Sequence, residues 1–128
     1  MSKQLVYMLL ALAVCCAPAV QAANIIWVSD KYNENGDAVP DDIGWVEFLR
    51  AAGHTVDYQD GPGAGNGYWR TLDHDKIAEL NAADLVIVSR NSNSGDYANA
   101  PEPSQWNAVT TPLIMMTPYI SRNNRWVW

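Results

Sequence analysis

The run Leu85–Val88 constrains the fold more than any other part of this chain. Its four residues, LVIV, are all apolar, and residues 89–97, SRNSNSGDY, turn abruptly polar. A strand with one face in water alternates apolar and polar residues, whereas an unbroken apolar run suits a strand covered on both faces. Such strands belong mainly to parallel sheets, whose crossover helices cover both faces. The run therefore predicts a central strand of a parallel sheet.

Strand and helix patterns alternate along the rest of the chain. Short apolar runs predict four strands, over residues 24–28, 55–58, 85–89 and 112–116. Apolar residues at helical spacing predict three helices between them, beginning at Asp41 or Asp42, at Asp73 and at Pro103. In the first predicted helix, the apolar residues that recur at near-helical spacing are Ile43, Val46, Phe48, Leu49 and Ala52. The alternation favours right-handed β-α-β units, and we predict a flavodoxin-like three-layer α/β sandwich with strand order 2-1-3-4.

The N-terminal residues 1–22 are predicted to be a secretory signal peptide. Their apolar run, residues 5–14, is shorter than the ~20 residues that a membrane-spanning helix needs. Val20 and Ala22 supply small residues at the −3 and −1 positions of a cleavage site. We therefore expect cleavage after Ala22, a secreted or periplasmic location, and a single α/β domain over residues 23–128. A lipid-anchored export route is a weaker alternative.

The end of the chain leaves the extent of the domain open. Trp128 follows soon after the fourth predicted strand, whereas doubly wound sheets commonly have five or more strands. A fragment of a longer exported protein is one interpretation, and the oligomeric state is not indicated either.

Composition excludes several kinds of chemistry. Cys15 and Cys16 both lie in the predicted signal, so the mature domain would have no disulfide, thiol nucleophile or thiolate metal site. The formal net charge of −6 argues against a nucleic-acid partner, because phosphates need Lys and Arg. His54 and His74 offer no metal pair, and we expect no metal, no cofactor and no membrane contact after signal cleavage. The six tryptophans are expected mainly to fill the core and its rim.

Two familiar motifs are absent. The alternating glycines of residues 61–67 follow the second strand, whereas a dinucleotide fingerprint GxGxxG follows the first strand and opens a helix. No serine stands in a GxSxG elbow, so the chain carries no signal for a Ser-His-Asp hydrolase.

The candidate site is predicted by position. In open α/β sheets, ligands bind beyond the carboxyl ends of the strands, where the strand order reverses. The candidate ligand-binding side chains there are Ser29, Asp30, Arg90, Asn91, Ser92, Ser94, Thr117, Tyr119 and Arg122. Arg90 and Arg122 could together bind a carboxylate or phosphate. The alternative for Arg90 is a structural ion pair with Asp30 or Asp96, and the alternative for the loop is an ordinary turn-rich connection.

Several segments resemble the class I glutamine amidotransferase-like superfamily, especially its ThuA-like (trehalose-utilisation-like) branch. They are NIIWVSD, FLRAAGHTVDY, ADLVIVSRNSNSGDY and TPLIMMTPYISR. The resemblance implies an α/β fold. In the true amidotransferases a nucleophilic cysteine in a glycine-rich elbow follows the fourth strand, where this chain has Met116, Thr117, Pro118 and Tyr119. Glutamine amidotransferase activity is therefore not expected. ThuA-like relatives commonly lack that cysteine too, and they have a suspected link to carbohydrates.

These observations lead to one preferred function and two alternatives. The preferred function is an exported α/β domain of undefined activity that binds a small polar ligand, carbohydrate-like or anionic, at the carboxyl ends of the strands. One alternative is a carbohydrate-active hydrolase, with Asp30 and Asp96 as the acid/base pair. The other is a structural module of a longer exported protein, with the tryptophans as contact surface.

Overall fold

A computed structural model describes residues 21–59 and 67–126. Its strands are β1 Asn24–Val28, β2 Thr55–Asp57, β3 Leu85–Val88 and β4 Leu113–Met115. Its α-helices are α1 Ile43–Ala51, α2 His74–Ala82 and α3 Glu102–Trp106, and two 3-10 turns lie at Ser94–Tyr97 and Pro118–Ser121. The predicted signal run, residues 5–14, and most of the glycine-rich segment, residues 60–66, lie outside the described residues. Among the described helices, none is long and apolar enough to cross a bilayer.

The four described strands form one all-parallel sheet in the order β2-β1-β3-β4. This confirms the predicted flavodoxin-like α/β arrangement and its 2-1-3-4 order. The register places Trp27 of β1 beside Ile87 of β3, which lies beside Ile114 of β4. Residues 86–88 of β3 are buried, so the unbroken apolar run does mark a strand covered on both faces. The strand order reverses between β1 and β3, so their carboxyl ends meet at the switch point.

Helices cover the sheet on both sides. Val46 of α1 packs on one face, against Ile25, Trp27 and Ile87. On the other face of the sheet, Leu80 of α2 and Trp106 of α3 belong to the core. They pack there with the side chains of β1 and β3 that point away from α1. Alternate residues of β1 and β3 therefore belong to separate cores, as the two-residue period of a strand requires.

Tryptophan supplies much of this core, as its abundance led us to expect. Trp27, Trp69, Trp106 and Trp126 are each at most 2% exposed, and the rings of Trp106 and Trp126 stack at 4.5 Å. The remaining described tryptophan, Trp45 of α1, is 58% exposed. A large ring in that position is not explained by packing within the domain.

The inward face of α1 is narrower than its apolar residues suggest. Val46 is buried and Ile43 and Leu49 are partly buried, but Phe48 is 65% exposed and Ala52 is exposed as well. Phe48 and Ala52 therefore belong to the apolar pattern in the sequence but lie outside the buried face of the helix. Each residue turns the helix by about 100°, which carries Phe48 off the stripe that touches the sheet.

An aspartate precedes two of the three helices, and the two carboxylates have different hydrogen-bond partners. The second helix was predicted to begin at Asp73, and Asp73 is the N-cap of α2: its carboxylate accepts from the backbone N–H of Lys76 at 2.8 Å. Asp42 occupies the same position before α1, but its carboxylate makes no capping hydrogen bond. The Asp42 side chain points into the molecule instead, where it forms part of the candidate site.

Candidate ligand-binding cleft

A cleft of about 340 Å³ opens at the carboxyl end of β3, beside the first turn of α1. It is lined by Glu34, Asp41, Asp42, Trp45, Ser89, Arg90, Asn91 and Met116. The loop between β1 and α1 supplies the three acids, α1 supplies the indole, and the exits of β3 and β4 supply the rest. The cleft lies at the edge of the sheet where open α/β folds place their ligands.

The floor of the cleft is the buried carboxylate of Asp42. Its Oδ2 accepts from Trp27 Nε1 at 2.8 Å and from Ser89 Oγ at 2.6 Å, and its Oδ1 accepts from Tyr58 Oη at 2.6 Å. Asn91 Nδ2 lies 3.4 Å from the same Oδ1. The donors come from β1, from the residue after β2 and from the residues after β3. One side chain therefore joins three strands to the start of α1.

This network keeps Asp42 ionised. Burial alone would raise the pKa of its carboxyl, but the hydrogen bonds from Ser89, Tyr58 and Trp27 outweigh burial and lower the pKa below its ordinary value. A carboxylate that is stabilised in this way is a weak base. Asp42 therefore suits a structural and electrostatic role better than proton transfer.

The Ser89 hydroxyl belongs to the same hydrogen-bond network. Its hydroxyl donates to Asp42 and accepts from the backbone N–H of Asn91 at 2.9 Å, and the residue is 1% exposed. These two bonds fix the start of the loop after β3. The Asn91 side chain also donates to the backbone oxygen of Tyr32 at 2.9 Å, which ties the loop after β3 to the loop after β1.

The mouth of the cleft carries the groups that a ligand could reach. Asp41 accepts from the backbone N–H of Glu34 at 3.0 Å and from Asn35 Nδ2 at 3.2 Å, and it is exposed. Within residues 21–59 and 67–126, the side chains of Glu34 and Arg90 have no hydrogen-bond or ion-pair partner. Trp45 stands beside them with more than half of its surface exposed.

A second polar cluster is centred on Arg70 and includes side chains of the loop after β3. Arg70 Nε lies 2.9 Å from Asp30 Oδ1, and Arg70 Nη2 lies 2.9 Å from Asp96 Oδ2. Asp30 is fully buried and also accepts from the backbone N–H of Asn93 at 2.8 Å and from Tyr97 Oη at 3.2 Å. Burial, followed by the charge of Asp30, raises the pKa of the Tyr97 phenol well above its ordinary value, so it remains a donor.

This cluster corrects one alternative and weakens another. The structural ion pair with Asp30 and Asp96 exists, but Arg70 makes it and Arg90 does not. One guanidinium bridges both carboxylates, and neither of them lines the cleft. The arrangement suits a structural clamp, whereas a hydrolase needs its two carboxyl groups free to face a substrate.

The structure brings only two of the predicted site residues, Arg90 and Asn91, into the cleft. Ser29, Ser92 and Thr117 are buried; the Ser29 hydroxyl accepts from the backbone N–H of Lys31, and the Ser92 hydroxyl donates to the Val28 carbonyl. Ser94 begins a 3-10 turn. Asp30 belongs to the Arg70 cluster, and the remaining predicted residues are Tyr119 and Arg122.

Those two residues form a separate surface pair. The Arg122 guanidinium lies over the Tyr119 ring at 4.2 Å, and neither residue lines the cleft. Arg122 therefore does not join Arg90 in a shared anion site.

Sequence reasoning missed most of the cleft lining. The missed residues are Glu34, Asp41, Asp42, Trp45 and Met116. Ser89 begins the stretch 89–94 in which the site was expected, although it was not one of the candidate side chains. Asp41 and Asp42 precede a helix, which made a cap their ordinary interpretation. Trp45 lies among apolar residues on that helix, where burial is the default. The useful signal was Ser89, because it is the first polar residue after the apolar run of residues 85–88.

Comparisons with known proteins add no identity. The chain has no significant match among protein-family models, curated proteins or solved structures. The resemblance to the ThuA-like branch therefore stays a prediction. No three histidine, cysteine or acidic side chains of the described residues gather as a metal site would require.

Proposed function

We propose that this chain is an exported α/β domain that binds a small polar, carbohydrate-like ligand in the cleft between α1 and the loop after β3. The observation that carries the proposal is Trp45. Four other described tryptophans are at most 2% exposed, whereas Trp45 is 58% exposed and lines the cleft. The same cleft is lined by the Arg90 guanidinium and the Glu34 carboxylate, whose side chains have no hydrogen-bond or ion-pair partner among the described residues.

These groups together match the chemistry of a sugar ring. The C–H face of a pyranose packs on an aromatic ring, and its hydroxyls need both donors and acceptors around their edge. Arg90 offers donors, Glu34 and Asp41 offer acceptors, and Met116 adds apolar surface. The volume of about 340 Å³ is at the lower end of the range of ligand pockets, which suits a monosaccharide.

A thermal-shift screen on protein that begins at Ala23 tests this proposal. A ligand at ten times its dissociation constant stabilises the folded state by about 1.4 kcal/mol, which raises the Tm of a domain of this size by several degrees. We expect such shifts with monosaccharides. Trp45→Ala should weaken binding about tenfold or more, because the stacking contact is lost.

Phe48→Ala is the matched control for that variant. Phe48 lies on the same helix and is 65% exposed, but it does not line the cleft. We expect it to bind like the parent protein. The proposal is wrong if no sugar raises the Tm, or if the Trp45 and Phe48 variants bind equally well.

A further inference from the structure

We infer that the cleft selects its ligand by charge: it binds a sugar that carries a protonated amino group in preference to a neutral sugar, and it disfavours sugar acids. This inference rests on the proposed function, since it concerns the ligand of the same cleft. It is carried by the balance of charged groups around Trp45. It also departs from the expectation of an anionic ligand, which assumed that Arg90 and Arg122 act together.

The charged residues that line the cleft sum to −2, from three carboxylates (Glu34, Asp41 and Asp42) and one guanidinium (Arg90). Asp42 contributes a full negative charge, because three donors lie within 2.8 Å of its oxygens. Among the described residues, Arg90 is the only cation that lines the cleft, since Arg122 lies over Tyr119 and outside it. An anionic ligand would therefore meet a net repulsion there.

The accessible groups favour a cation more specifically than the charge sum does. The carboxylate of Glu34 has no partner among the described side chains, and Asp41 has lone pairs beyond the two bonds that it accepts. An ammonium group presents three donors and no acceptor, which complements these oxygens. The face of the Trp45 indole attracts cations as well, through its ring quadrupole.

Arg90 does not reverse this preference. It is one exposed guanidinium against three carboxylates, and its planar donors also suit the oxygens of uncharged hydroxyls. In the proposed complex it holds a ring hydroxyl, while the acids hold the amino group.

Calorimetric titration with four related sugars tests the inference. The titration is done at low salt and about pH 6, where the amine of an amino sugar is charged and the carboxyl of a sugar acid is ionised. Glucosamine should bind about fivefold more tightly than N-acetylglucosamine, which lacks the charge at the same ring position. Glucuronate should bind about fivefold more weakly than glucose. Both ratios should shrink towards one as salt screens the charges.

Two variants and a control locate the effect. Glu34→Gln and Asp41→Asn should each lower the ratio of glucosamine affinity to N-acetylglucosamine affinity, because each amide keeps an acceptor oxygen but removes the negative charge. Glu47→Gln removes one charge from an exposed position of α1 that does not line the cleft, and it should preserve the preference. If Glu47→Gln reduces the preference as much as Glu34→Gln does, selection comes from the overall charge of the protein and the inference is wrong.

The outcomes also separate this inference from the proposed function. If none of the four sugars binds, the proposed function itself fails. If sugars bind and Trp45→Ala abolishes binding, but glucuronate binds as tightly as glucosamine, the cleft is a sugar site without charge selection. That result overturns the inference alone.

Discussion

Replacing Asp42 with alanine should lower the free energy of unfolding by about 3 kcal/mol, one of the two largest effects that we expect from a single substitution in this domain. The carboxylate accepts from Trp27, Tyr58 and Ser89 at 2.8, 2.6 and 2.6 Å, and all three of those residues are buried. Alanine removes the acceptor that these three donors share. An unsatisfied buried donor costs about 1–3 kcal/mol, and water entering from the adjoining cleft offsets part of that sum.

Chemical denaturation, analysed with a two-state fit, measures this effect. Asp41→Ala is the matched control, because Asp41 is the neighbouring acid and is exposed. Its hydrogen bonds to Glu34 and Asn35 lie within one surface loop, so we expect a loss below about 1 kcal/mol. Equal losses for the two variants would show that the buried network contributes no special stability.

The acid dependence of stability gives an independent check on the same carboxylate. The pKa of Asp42 is lower in the folded protein than in the unfolded chain, so its charge stabilises the fold fully above the unfolded value of ~3.9. That contribution is lost as the pH falls through the lower, folded-state pKa. Asp42→Asn has no such carboxylate to titrate. Its stability deficit should therefore be constant from about pH 7 to 5 and should shrink below about pH 4.

The parts of this fold that could be predicted from the sequence depend on periodicity. Residues 85–88 are apolar at every position because β3 is covered on both faces, and short strands alternate with helices because each parallel pair needs a crossover. These are properties of neighbouring residues, so a pattern along the chain records them. The order 2-1-3-4 then follows from the small set of topologies that such alternation allows.

The parts that could not be predicted depend on contacts between distant residues. Asp42 before a helix is equally compatible with a cap and with a buried acceptor, and only the approach of Trp27, Tyr58 and Ser89 decides between them. The same holds for the ion pair of Asp30. Arg90 was the candidate because it lies two residues beyond β3, at the predicted site edge of the sheet, whereas Arg70 lies 40 positions from Asp30 in a segment with no predicted role.

Replacing that arginine tests the correction directly and should also cost about 3 kcal/mol. Arg70→Met keeps a long side chain but removes the charge that faces Asp30, which is completely buried. Asp30 would retain two hydrogen bonds, from the Asn93 backbone N–H and from Tyr97, but it would have no ion-pair partner among the described residues. Breaking a buried pair in this way is costly because an uncompensated charge stays in the interior.

The double variant shows whether the loss comes from that charge. Asp30→Asn removes the charge that Arg70→Met would leave unpaired, so the two substitutions together should cost less than the sum of their separate effects. We expect a coupling energy of about 1–3 kcal/mol in a double-mutant cycle measured by denaturation. Simple additivity would indicate that the two side chains stabilise the fold independently.

Arg90→Met is the control that separates the two arginines. Arg90 is exposed and has no ion-pair partner in residues 21–59 and 67–126, so its replacement should change the unfolding free energy by less than about 0.5 kcal/mol. It should still weaken ligand binding, because Arg90 lines the cleft. If Arg90→Met unfolds the protein as readily as Arg70→Met does, then Arg90 is the residue that neutralises Asp30, and the division between a structural cluster and a binding cleft is wrong.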